Sequence, residues 1–144
     1  MEEVKEKVKE KLKERISSWE VKSPRRIYFW TQPSRLREIA RVLFEEFEFR
    51  FVTASAVDTL KGVEILYHFS CDSSGEIFTV KVLLPSKSPK IESIAPFIPG
   101  AAWIEREMGE LFGVEFLGHP EPKRLLLSED WPKGVYPYRL KEEK

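Results

Sequence analysis

The sequence predicts an α+β fold, a mixed sheet of about four strands with helices packed on it. One βα crossover and an antiparallel meander build that sheet, with a charged helix before it and an irregular, extended tail after it. Three observations carry this reading. Apolar and polar residues alternate in three runs between positions 49 and 84, separated by short Gly-containing turns. An aromatic run, Arg26 to Thr31, leads into an amphipathic pattern of period 3.6. The last stretch, from position 114, keeps large apolar residues without any period.

The N-terminal segment, residues 2 to about 18, reads as a helix. Val4, Val8, Leu12 and Ile16 recur every fourth position, and Glu2/Lys5, Glu6/Lys9 and Glu10/Lys13 stand three apart. Its apolar stripe is narrow, so the expectation is a solubilising helix that leans on the domain or on a neighbour. Residues 1–20 are assigned to it, 21–113 to an α+β core and 114–144 to a docking tail.

Within the core, Arg26 to Thr31 is a strand, and Trp30 is expected inside. Pro33 suits a first helical turn, where its missing N–H costs nothing. Leu36, Ile39, Ala40, Leu43, Phe44 and Phe47 then form a wide stripe that should cover one face of the sheet. Phe49 to Thr53, Val63 to Phe69 and Ile77 to Leu84 make the meander, turning at Asp58–Gly62 and Asp72–Gly75. Four prolines (Pro85, Pro89, Pro96, Pro99) punctuate a linker. A third helix runs from about Gly100 to Phe112, with Gly113 placed to cap it in the left-handed conformation. Beyond it, Phe116, Leu125, Leu126, Leu127, Trp131, Tyr136 and Tyr138 lie among Gly and Pro. A disordered tail is poor in such residues, so this one is expected to wrap a surface.

Composition narrows the function. The 144 residues carry 24 basic and 24 acidic side chains, and zero net charge gives no global pull toward nucleic acid or anionic lipid. A charged share of 33%, nearly all Lys, Arg and Glu, leans toward a heat-adapted protein. One cysteine, Cys71, excludes an intramolecular disulfide. No apolar run approaches the roughly 20 residues of a membrane span. The chain is expected to be soluble and cytoplasmic, held at any membrane by other chains.

Redox and hydrolytic motifs are missing too. An iron–sulfur cluster normally takes four cysteines, and Cys71, His68 and His119 offer no zinc-ligand spacing. The glycines form neither a dinucleotide fingerprint nor a phosphate loop, and no Gly-x-Ser-x-Gly elbow occurs. No cofactor is expected.

The densest constellation spans the third helix and the first residues of the tail. Ala101, Ile104, Met108, Leu111 and Phe112 share one face, with Arg106 and Glu110 opposite, on the wetter side. Glu105 falls at the margin of the apolar stripe, one turn before Gly109, whose bare surface invites a donor-bearing segment. A buried Glu105 must be paired, and Arg124 or Arg139 is the natural partner. Glu105 and Glu107 are two apart and diverge, so they cannot work as an acid–base pair. His119, between Gly118 and Pro120, reads as a structural or interface histidine, with an acid–base role beside Glu105 as the alternative. Trp131, in a turn-rich stretch, reads as an interface anchor, whereas Trp103 stays open between core and interface.

These residues match a known pattern. Glu105-Arg106-Glu107, Glu110, Leu111-Phe112, His119, Lys123 and Leu125-Leu126, with Pro-Gly-Ala-Ala-Trp-Ile before them and Gly-His-Pro within, resemble the signature of one family, that of the thirty-kilodalton subunit of NADH:quinone oxidoreductase, respiratory complex I. The tail from Leu125 to Pro137 looks like the version found in energy-converting [NiFe] hydrogenases and formate hydrogenlyases. Ser128 stands where the family usually has proline, Gly109 replaces a larger residue, and Pro137-Tyr138-Arg139-Leu140-Lys141 replaces the usual ending.

The resemblance implies a cofactor-free assembly subunit on the cytoplasmic side of the membrane. It would dock on a large, [NiFe] hydrogenase-like catalytic-type subunit and near a small iron–sulfur subunit. Electrons would pass through those neighbours, and separate membrane subunits would move ions. It also implies no nucleic-acid partner, and membrane contact only through other subunits. Its motif and interface positions are Glu105, Arg106, Glu107, Glu110, Phe112, Gly113, His119, Pro120, Lys123, Arg124, Trp131, Tyr136 and Arg139, none of them catalytic, cofactor-binding or metal-binding. A quinone-reducing complex is the near alternative. A stand-alone enzyme using Glu105 and His119, and a self-associating binding module, are the distant ones.

Overall fold

Strand alternation sets the architecture in the computed structural model, which describes residues 2–121 and 136–139. Strands β1 (Ile16–Ser23), β2 (Arg26–Thr31), β3 (Arg50–Thr59), β4 (Gly62–Cys71) and β5 (Glu76–Leu84) form one sheet in the order β1-β2-β5-β4-β3. Only β2 and β5 run parallel; the other pairs are antiparallel. The fold class is the mixed α+β expected, with five strands in place of about four. Ile27 and Phe29, Val63 to Phe69, and Phe78 to Leu84 turn every second side chain into one core. The β3–β4 turn leaves no room for a side chain at Gly62. A Cβ there would lie 2.1 Å from the Leu84 carbonyl oxygen, and φ is +147°.

The N-terminal helix differs from expectation. Helix α1 (Glu2–Leu12) stops six residues before 18, and Ile16 opens β1. Val8 and Leu12 are fully buried, so two well-seated side chains are enough to make α1 part of the core rather than a solubilising appendage. Lys5 is buried beside Glu76, with Nζ 3.8 Å from Oε2. The ring of Trp19 stacks on Phe29, centroids 5.5 Å apart. The missed strand is irregular, with register shifts at Ser17/Glu20 and Val21/Ser23 and a positive φ at Ser18.

The remaining elements cover the same sheet face as α1. A 3-10 turn at Pro33–Arg35 opens α2 (Leu36–Arg41), which continues as a π turn over Val42–Glu46. Leu36, Ile39, Ala40 and Leu43 are buried as the pattern predicted. The proline-rich linker holds a short strand, β6 (Lys90–Glu92), parallel to β7 (Glu115–Leu117) just beyond α3 (Ala102–Phe112). Gly113 ends α3 in the left-handed conformation, φ +76°, as expected. Trp30 is not core. The inward positions of β2 belong to Ile27, Phe29 and Thr31, so Trp30 lies half-buried on the opposite face. Among the described residues no helix is long and apolar enough to cross a membrane.

Candidate docking site around the third helix

Glu105 is the pivot of this region. It sits on the buried side of α3, fully inaccessible, and its carboxylate is met by donors from the linker. Ser93 Oγ donates to Oε1 at 2.5 Å, and the Ile94 N–H donates to Oε2 at 2.9 Å. Ser93 Oγ in turn accepts from the Ala95 N–H at 3.1 Å. The carboxylate thereby ties the start of the 93–98 turn to the helix. Burial pushes its pKa above the usual carboxylate range, while the Ser93 and Ile94 hydrogen bonds and the nearby His119 oppose that shift.

His119 closes the other side. The β6–β7 pairing delivers it there, and its side chain is 2% exposed. Its Nδ1 faces the Glu121 N–H at 2.9 Å and must accept. Nε2 therefore carries the ring proton and donates to the Ala102 carbonyl at 3.0 Å. The same Nε2 lies 3.7 Å from Glu105 Oε1, close enough for attraction but not for a hydrogen bond. On the sheet side, the Tyr67 hydroxyl is buried without a hydrogen-bond partner among the described residues; burial, then the Glu105 charge, push its pKa well up.

This geometry holds three chain segments together, and the side chains of both Glu105 and His119 are buried in it. Arg139, expected to be a partner of Glu105, goes elsewhere. Its Nη1 donates to the Phe112 carbonyl at 3.1 Å and its Nη2 to the Ser86 carbonyl at 2.6 Å, while Nε lies 3.2 Å from Asp58. It thus latches 136–139 onto the C-terminal end of α3, where a cation also suits the helix dipole. The surface of Gly109 is met by the Val114 carbonyl oxygen, an acceptor rather than the expected donor.

Around this clamp lies an exposed apolar rim. Trp103 is 66% exposed, with the Arg106 guanidinium 5.7 Å from its ring centre. Arg106 itself is largely covered, its side chain only 14% exposed, and Glu110 is half-buried, so that face is drier than expected. Leu117, Tyr136 and Tyr138 are also exposed, and Tyr138 meets Phe112 edge-on at 5.6 Å. A Cβ on Gly113 would lie 2.6 Å from the Tyr136 ring. Glu107 is half-buried and Pro120 exposed. Lys123, Arg124 and Trp131 lie outside the described residues.

A family model for the respiratory-chain NADH dehydrogenase 30 Kd subunit matches residues 29–143. The chain belongs to that family. Within the 30 Kd family it is 33% identical over 124 residues to a subunit of the F(420)H(2) dehydrogenase of Methanosarcina mazei, covering 81% of this chain and 78% of that one. Formate hydrogenlyase subunit 5 of Escherichia coli is 39% identical over 61 residues, 42% of this chain and 11% of that much longer protein. Among solved structures, one of the membrane-bound sulfane sulfur reductase, an archaeal respiratory membrane complex, contains a chain that superposes with a TM-score of 0.84 at 26% identity. The match covers 96% of this chain and 82% of that one.

Ser93, Ile94 and Asp58 were not legible as site residues. Three of the four groups that meet Glu105 and His119, the Ile94 and Glu121 N–H groups and the Ala102 carbonyl, belong to the backbone, which every residue carries. Asp58 read only as a turn residue. The proline-rich linker was the one faint signal, since a fixed course there needs something to hold it.

Proposed function

We propose that this chain is a cofactor-free assembly subunit in the cytoplasmic arm of a membrane-bound, complex I-like oxidoreductase. Its parent in this reading is an energy-converting [NiFe] hydrogenase or a related ferredoxin-linked complex whose membrane subunits move ions. It docks on the large catalytic-type subunit and stands near the small iron–sulfur subunit. The observation that carries the reading is the rim of Trp103, Leu117, Tyr136 and Tyr138, held rigid by a fully buried carboxylate clamp. Exposed aromatic side chains on a stiff support are what a protein interface uses as anchors. The tail resemblance and the formate hydrogenlyase relative support the hydrogenase parent. The reductase likeness, which spans nearly the whole chain, supports a respiratory membrane complex other than a hydrogenase as the second reading.

Affinity purification of the full chain from solubilised native membranes tests this. The expected result is co-purification of a large and a small iron–sulfur subunit, with nickel and iron both present. Iron without nickel would replace the hydrogenase by the second reading. Recovery of the chain alone, or as a homodimer, would overturn the assembly role.

A further inference from the structure

We propose that the sheet face turned away from the helices is a second interaction surface, fitted to a protein partner that presents carboxylates among apolar side chains. Every described helix packs on the other face. Across the open one, strand register sets Tyr28 beside Thr79 and His68, then Trp30 beside Lys81 and Leu66. Leu83 comes next along β5, opposite Glu64. A sheet face meant for water is dominated by polar side chains. Here Tyr28, Trp30, Leu66 and Leu83 make a half-buried apolar platform whose floor is fixed by His68 Nδ1 and Thr79 Oγ1, 2.8 Å apart.

Charge decides the occupant. Lys81 Nζ stands 5.3 Å from the Tyr28 ring centre and 5.1 Å from that of Trp30, and Arg26 is exposed on the same side. Neither cation has an ion pair among the described residues, whereas Lys22 is paired with Glu20 at 3.3 Å. The β1–β2–β5 half of the face is therefore a cationic, aromatic surface, and a carboxylate flanked by apolar groups satisfies both features at once. A two-fold pairing with a second copy would bring Lys81 and Arg26 toward their own counterparts. A nucleic acid would meet Glu20 and Glu64 with only two unpaired cations to hold its phosphates. The inference extends the assembly role, on which it rests, by giving the subunit two sides and hence two neighbours.

The test uses a photo-crosslinking phenylalanine analogue at Trp30 and, separately, at Trp103, in the full chain assembled in its native complex. From Trp30 the expected product is a peptide containing Asp or Glu from another subunit, distinct from the peptide reached from Trp103. Lys81→Glu should lower the yield of the Trp30 product about tenfold or more, and Lys81→Arg should preserve it. Arg26→Glu, at an exposed position, gives the same readout should Lys81→Glu fail to fold. A Trp30 product with this chain's own second copy, with nucleic acid, or with no partner while Trp103 still links, overturns the inference alone. An undiminished yield in both charge reversals does so too. Silence at both positions overturns the assembly role as well.

Discussion

Replacing Glu105 by alanine removes the acceptor for Ser93 Oγ and the Ile94 N–H in a site without solvent. Hydrogen bonds to a charged acceptor are worth about 1.5–3 kcal/mol each, and a buried donor left unpaired costs about as much. Two such bonds give roughly 3–6 kcal/mol. The vacated side-chain volume adds about 1 kcal/mol, and relief from burying a carboxylate subtracts a similar amount. The net is about 4 kcal/mol, a large part of the roughly 5–15 kcal/mol that holds a domain folded. With a urea slope of about 2 kcal/mol/M, the midpoint followed by circular dichroism should fall by about 2 M. Glu105→Gln separates charge from shape. Because the folded pKa of Glu105 is raised, its favourable contribution is complete below the ordinary value of 4.5 and is lost as pH rises through the folded value. The deficit of Glu105→Gln relative to the native chain should therefore shrink as pH rises from about 4 toward 7. A midpoint for Glu105→Ala within about 0.2 M of the native value, or a Gln deficit that grows with pH, would refute the clamp.

The latch and the rim lead to three more expectations. Arg139→Ala and Asp58→Ala should each destabilise by about 2–4 kcal/mol, and a double-mutant cycle in urea should return a coupling above about 1 kcal/mol; additive losses would place the latch elsewhere. Gly113→Ala must hold a left-handed φ and displace the Tyr136 ring, so a loss of about 1–2 kcal/mol is expected. An unchanged midpoint would mean that the ring is not seated there. Trp103→Ala should leave the urea midpoint of the isolated chain unmoved, since Trp103 is mostly exposed, while weakening recovery of the proposed large partner subunit by about tenfold. Full recovery would remove Trp103 from the docking surface.

Much of the fold was legible because its elements repeat a simple period. The alternation of β4 and β5, the stripe of α2 and the Gly113 cap each follow from local sequence, and each is where it was expected. β1 was missed because Leu12, Ile16 and Trp19 stand at helical spacing, while its bulges erase the period of two. β6 and β7 have three residues each, too few to show any period. Trp30 was misplaced because its bulk suggested burial, whereas its odd or even position along β2 decided its side. At the clamp, the sequence marked Glu105 and His119 but not their partners. Long-range pairing such as Arg139 with Asp58 depends on which strand end the helix terminus meets, and no local pattern encodes that.

The parallel neighbour of β2 has a consequence for biosynthesis. Arg26 finds its partner Ile77 only after about fifty further residues have emerged, and the hairpin carrying Trp19, Phe29 and Trp30 must wait with its greasy side uncovered. The meander of β3, β4 and β5 can close early from nearby turns, so it is the natural seed onto which the amino-terminal third condenses last. Synthesis that stalls before Leu84 would strand that third as a sticky, unpaired ribbon. Yield in a foreign host should then depend on elongation rate and chaperone supply more than on the finished molecule's stability.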